Sequence, residues 1–219
     1  MASNVFSACT NEVGKGPREL FIVEGISAAN AATVARDPRS QAILAVQGKP
    51  MNVERASEKE VFANDKLRSI VRVIGAWSGE AFDLDSVPYD RVLILTDGDP
   101  DGVHASALLL LALDYLMPEL VEADRLERVR APLFAIDAAG LDQTVYAYSV
   151  PHRDRIMAKL TKQQVSASFG YLKSIAGLNA DELGRICLNP DTRVAEVLDR
   201  EAAVVARAAL ARWRRAVDS

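Results

Sequence analysis

The sequence predicts an α/β domain with a mostly parallel sheet, on three observations. Short apolar runs at residues 20–23, 41–46 and 92–95 read as buried strands. Segments with helical spacing separate them, and that alternation calls for right-handed crossovers and parallel pairing. Charged residues follow two of the strands directly: Glu24 after the first, and Asp97, Asp99 and Asp101 after the third. The carboxyl ends of strands are where such sheets gather their chemistry.

Taken in order, residues 1–18 are polar, rich in Gly, Asn and Lys, and read as a flexible lead-in. The strand at 20–23 ends at Glu24-Gly25, and Ser27 is placed to cap an Ala-rich helix running to Arg36, where Asp37-Pro38 stops it. The second strand, 41–46, closes at Gly48. Residues 58–73 carry helical spacing. The third strand leads into Asp97-Gly98-Asp99-Pro100-Asp101-Gly102, followed by a helix over 104–117 and a strand near 129–136. From Gly140 the character changes. A further strand is predicted at 145–150, a short amphipathic helix at 151–160, and a long helix over 192–217 with apolar positions Val194, Val197, Leu198, Val204, Val205, Leu210 and Trp213. The domain reading is therefore a lead-in (1–18), the α/β domain (19–137) and a smaller, mostly helical C-terminal tail (138–219).

Apolar residues make up 49% and charged residues 26% of the 219, which suits a globular chain and excludes extended disorder. A net charge of -4 argues against a strong non-specific nucleic-acid binder, although it leaves room for a DNA enzyme whose acids hold metal ions. Cys9 and Cys187 form no CxxC pair, so neither a zinc site nor a disulfide framework is expected, and a reducing cytoplasm is the default. The first residues lack the features of a signal peptide, and the longest apolar run, 107–113, is too short to span a bilayer.

Three carboxylates packed into one turn repel each other unless a cation neutralises them. Hard oxygen donors suit Mg²⁺, which takes a few carboxylates and several waters. A solvated acidic turn is the competing reading of Asp97, Asp99 and Asp101. An EF-hand loop is not, since the glycine follows the third Asp at once and the twelfth position is Leu108. Joined to the cluster, Glu24 would complete a two-metal site for phosphodiester chemistry.

The runs ELFIVEGISA, QAILAVQGKPMNVERA and YDRVLILTDGDPDGVH, with the tail FGYLKSIAGLNADELGRICLNPDTR, resemble the B subunits of type IIA DNA topoisomerases: bacterial DNA gyrase and topoisomerase IV. The resemblance runs from Cys9 to Glu201 and implies a TOPRIM domain with a C-terminal tail. It further implies Mg²⁺, as one or two ions, used to cleave and rejoin DNA. Glu24 matches the family's catalytic glutamate. Glu24 with Asp97 would hold one ion, Asp97 with Asp99 the second, and Asp101 would support it. Lys49, Asn52 and Lys173 match positions that approach DNA. The partners implied are DNA and an A-type subunit that carries the attacking tyrosine, with a homodimer as an option; none of the five tyrosines here matches that nucleophile.

The surroundings depart from the family pattern. EGDSAGG has become Glu24-Gly25-Ile26-Ser27-Ala28-Ala29-Asn30, and Thr33, Pro38, Gln47 and Ser106 stand at positions basic in the family. Lost phosphate contacts lower affinity for DNA. Arg207, Arg212, Arg214 and Arg215 either compensate or form a solvated face balanced by Glu196, Asp199 and Glu201. Nothing in these 219 residues resembles the family's ATP-binding half or its transducer, and no P-loop is present among them, so no ATP site is expected in this sequence and, with the nucleophilic tyrosine also unmatched, it is expected to be inactive alone. His104 reads as a helix-start residue tying the loop, Leu108–Leu111 as core, and Trp77 and Trp213 as packing or interface residues. Two functions stay open: the metal-supplying subunit of a split topoisomerase, and a non-catalytic paralogue that binds and regulates one. A TOPRIM nuclease acting alone fits the tail less well.

Overall fold

The computed structural model describes residues 6–75 and 81–217, with side chains through residue 212. Trp77, and the side chains of Trp213, Arg214 and Arg215, lie outside the described residues. The α/β class is the one observed. Four parallel strands form the centre of a six-stranded sheet: β2 (Glu19–Glu24), β3 (Gln41–Val46), β4 (Arg91–Leu95) and β5 (Leu126–Val129). Short antiparallel strands edge it, β1 (Phe6–Ser7) on β3 and β9 (Ala195–Val197) on β5, in the order β1-β3-β2-β4-β5-β9.

The central strands are apolar throughout because both faces are covered. Leu20, Ile22, Leu44, Val92 and Ile94 face one cluster, shared with α3 (Asp65–Ile74), α4 (Pro100–Leu116) and α8 (Arg200–Val217). Phe21, Val23, Ile43, Leu93 and Leu95 face the other, against Ala28, Ala29 and Ala32 of α1 (Ile26–Ala35) and Ile186–Leu188 of the tail. Each large side chain buried in this way stabilises the fold by roughly 1.5–3 kcal/mol before entropy is counted. Leu108, Leu109, Leu110 and Leu111 are core, as expected, because α4 is enclosed between the sheet and α8.

Several elements differ from expectation, each for a local reason. The cap of α1 is Gly25 at φ +89°, a turn that L side chains resist, and Ser27 lies inside the helix. Residues 58–73 are two helices. Ser57 and Glu60 form a capping box for α2 (Glu58–Ala63), and the Asn64 side chain then accepts from the amides of Lys66 and Leu67 to start α3. The helix expected from 104 begins at Pro100, the residue after its cap Asp99. The strand expected at 129–136 is two strands in different sheets. Pro132 cannot donate to a ladder, and the chain leaves β5 to enter β6 (Phe134–Ala138).

A second, antiparallel sheet β7-β6-β8 follows, with β7 (Val145–Ala147) shorter than predicted and β8 (Ala167–Tyr171) unpredicted. It packs on α6 (Val150–Lys162), which Ser149 caps. The expected boundary at 137/138 falls inside β6. A five-residue helix, α5 (Pro118–Glu122), follows α4, and the short α7 (Ala180–Leu183) lies in the tail. The long C-terminal helix starts at Arg200 instead of 192, because residues 195–197 pair with β5; Val194 and Val197 are exposed, and Asp199 accepts the amide of Ala202 at 2.8 Å. The lead-in is tied down from Phe6 onward by β1 and by amide bonds from Thr10 and Asn11 to the 38–39 carbonyls. Among the described residues no helix is long and apolar enough to cross a membrane.

Candidate functional site

The chain runs from β2 outward to β3, then crosses back over β2 to β4. Strand order therefore reverses between β2 and β4, which opens a crevice at their carboxyl ends. Both deliver acids to it. Val23 pairs with Leu95 in parallel register, Glu24 is the last residue of β2, and Asp97 comes two residues after β4. The loop after β4 is held by close backbone approach. A Cβ at Gly98 would stand 2.7 Å from the Ala131 carbonyl, and one at Gly102 would stand 2.1 Å from the carbonyl of Asp97. Only glycine fits at either position.

Glu24 accepts no hydrogen bond among the described residues. Burial, then the charges of Asp97 and Asp99, push its pKa up, against a smaller opposing effect of Lys49. Burial also raises Asp97, which is held by the Ile175 amide at 2.8 Å and by Ser174. Asp99 caps α4 through the Gly102 amide at 2.8 Å. Asp101 points to solvent and pairs with Lys49 at 3.3 Å, an exposed contact of the kind that contributes about 0–1 kcal/mol. Burial, and then Lys49, lower the pKa of His104, which favours a neutral imidazole at the start of α4.

Asp97, Asp99 and, as the smallest of these effects, Asp101 thus act electrostatically on Glu24, although the Asp101 side chain is turned outward. Among the described residues no three His, Cys, Asp or Glu side chains are grouped as a ready set of metal ligands. Asp97, Asp99 and Asp101 each have a local partner: the Ile175 amide, the Gly102 amide and Lys49. The donor chemistry nevertheless fits Mg²⁺, which needs only one or two carboxylates alongside waters, and Glu24 and Asp97 are two destabilised hard-oxygen groups at one crevice.

Of the expected DNA-facing residues, Asn52 caps the helical turn Val53–Arg55, Lys49 lies beside Asp101, and Lys173 is exposed two residues before the Ile175 amide. Ser106 is buried within α4, and Thr33 bonds back to the Ala29 carbonyl. Arg207 is neither a free cation nor balanced by Glu196, Asp199 and Glu201. It joins Glu54 and the buried Asp114, fastening α8 to α4. Sequence reasoning missed Arg128, Arg130 and Tyr148, which line a cavity of about 110 Å³ with Asp97 and Gly98. Tyr148 is 51 positions from Asp97, and no motif announces it.

Fold and crevice define an α/β domain with an acidic site at a strand switch point. The chain belongs to the Toprim domain family, whose profile matches residues 19–131. It is similar to the B subunit of DNA gyrase from Archaeoglobus fulgidus, 37% identical over 177 residues, covering 81% of this chain and 27% of that protein. It is also similar to the B subunit of DNA topoisomerase 4 from Bacillus subtilis, 33% identical over 177 residues (80% of this chain, 27% of that protein). The DNA gyrase B subunit of Haloferax volcanii is 35% identical over 188 residues, covering 86% of this chain and 29% of its own length. The chain thus spans less than a third of the length of these relatives.

Proposed function

We propose that this chain supplies the acidic, Mg²⁺-binding part of a type IIA topoisomerase cleavage centre, acting on DNA with an A-type subunit that brings the tyrosine. The observation that carries this is Glu24. It is half-buried, accepts no hydrogen bond among the described residues, and is raised in pKa beside Asp97 and Asp99 at the mouth of the β2/β4 crevice.

Exchange of a phosphodiester for a tyrosyl ester needs a nucleophile, a proton for the leaving 3′-oxygen and positive charge at the phosphate. Glu24 holds a proton more readily than an ordinary glutamate, which suits it to protonate the leaving oxygen and to recover that proton on rejoining. Asp97 and Asp99 would hold Mg²⁺, which would supply the charge, and Glu24 would join them as an ionised ligand once its proton has passed to the leaving oxygen. Ile175 and Ser174 fix the direction of Asp97, and the Gly102 amide fixes that of Asp99. Lys49, Asn52 and Lys173 are the proposed DNA contacts.

The test is to mix the chain with an A-type subunit from a relative and supercoiled plasmid in Mg²⁺, then trap covalent protein–DNA adducts. Adducts are expected on the A-type tyrosine, reduced roughly 10²–10⁴-fold by Glu24→Ala, the range for losing a general acid. Metal-dependent nicking by the chain alone would overturn the split-centre reading in favour of an autonomous nuclease. A pair that associates yet stays silent would make the chain a regulator. The outward turn of Asp101, which pairs with Lys49, favours that second reading.

A further inference from the structure

Beyond Asp97 the crevice is followed by a second groove, whose lining carries one acidic residue, Asp142, alongside an arginine. The small cavity beside Asp97 ends at Tyr148, and Tyr148 is also a wall of a groove of about 600 Å³ lined by Tyr146, Arg185 and Thr192. Each compartment carries one exposed arginine, Arg130 in the first and Arg185 in the second. Arg91, Arg128 and Arg193 are ion-paired to Glu127, Glu196 and Glu19, whereas among the described residues Arg130 and Arg185 have no carboxylate partner. Arg130 is held by its guanidinium lying over the Tyr148 ring, 5.8 Å from the centroid, and that ring is itself stacked on His152. Tyr148 lines both compartments, with Arg130 over its ring and Arg185 on the lining of the larger groove.

We propose that this trough binds the sugar–phosphate backbone of a DNA strand leading away from the Asp97 site, Arg130 and Arg185 each taking a phosphate beside Tyr148. A guanidinium held on an aromatic ring keeps its N–H groups directed outward and suits phosphate oxygens. Two compartments with a shared wall, each with one arginine that has no carboxylate partner among the described residues, fit a linear ligand with repeated charges better than a single anion. Continuity with Asp97 selects DNA over an acidic peptide, and in that respect the inference rests on the function proposed above. The trough also supplies basic groups in place of those missing at Thr33, Pro38, Gln47 and Ser106.

The test reads binding without cleavage. Anisotropy of a labelled duplex is measured against the purified chain in EDTA, with no A-type protein present, over a series of salt concentrations. Wild-type affinity is expected in the non-specific range of about 10⁻⁴–10⁻⁶ M. The slope of log K against log salt should fall in magnitude by about 0.9 for Arg130→Ala or Arg185→Ala and by about 1.8 for the double variant. Arg130→Gln, which keeps length and polarity, should match Arg130→Ala, and Arg72→Ala on α3 should not change the slope. Slopes equal to wild type in variants with unchanged melting curves would overturn the trough. So would displacement of the duplex by inorganic phosphate or by a short polyglutamate at equal charge concentration. Adducts with an A-type subunit combined with unchanged slopes would sink the trough alone. The expected slopes without adducts would sink the cleavage reading and leave the trough standing.

Discussion

Strand β2 begins and ends with a glutamate, and the two are treated in opposite ways. Glu19, at the amino end, is buried and fully occupied. Arg193 reaches both its oxygens, one at 2.8 Å, and Gln41 donates at 3.0 Å. The same arginine and glutamine also bond the Leu188 carbonyl at 3.0 and 2.7 Å, so the tail is fastened to the sheet there. Glu24, at the carboxyl end of the same strand, faces other carboxylates instead. One end of the strand resolves its electrostatics within the chain and contributes stability. The other leaves them unresolved, the condition that the proposed cation would relieve.

The largest effect should come from breaking the resolved end. Arg193→Ala strands Glu19 in the interior, and removal of one partner of a buried pair costs about 3–5 kcal/mol. For a chain of this size that is a fall in Tm on the order of 10 °C. A fall of only a degree or two would mean that Glu19 is rescued by water and that the contrast between the two ends is false.

Next in size is Mg²⁺, which should act at the unresolved end alone. At about 100 times its Kd it should stabilise the chain by about 2.7 kcal/mol in thermal unfolding. Asp97→Asn should abolish the shift, and Arg193→Ala should leave it intact on a lower baseline. A shift that survives in a Glu24→Gln, Asp97→Asn, Asp99→Asn triple variant would place the ion elsewhere.

The smallest effect sharpens the comparison most. Burial and neighbouring acids raise Glu24 above its ordinary 4.5, so folding favours its protonated form. The stability this gives is complete below the ordinary value and is lost as pH rises through the raised one. Without metal, Glu24→Gln should therefore raise Tm at neutral pH by a few degrees at most, on a scale of about 2–4 °C per kcal/mol, with the gain vanishing at low pH. Destabilisation by Glu24→Gln at pH 7 would show that the carboxylate is satisfied after all.

How legible each end was in the sequence follows from locality. Asp97, Asp99 and Asp101 fall within five residues, directly after an apolar run, so cluster and strand were read together. The central strands were readable because burial on both faces leaves an unbroken apolar string, as in residues 92–95. Strand β8 has the opposite character, with Phe169 and Tyr171 exposed, and no apolar period marks it. Residues 194–198 misled because Leu198 is buried and fits a helical pattern begun too early, while pairing with β5 decided the outcome. The Glu19–Arg193 pair spans 174 positions, and Arg130 meets Tyr148 only through the fold. Pairings of that kind leave no trace in a local pattern.

The bond from the Ile175 amide to Asp97 makes a single backbone proton a reporter on the acidic site. That proton can trade with solvent deuterium only when the carboxylate and the 174–175 segment part. Its exchange rate therefore clocks how often the ligand arm swings free, residue-specifically and without any substrate. Whatever cation or DNA strand steadies Asp97 must slow that clock, and by reciprocity must hold the tail more firmly against the sheet.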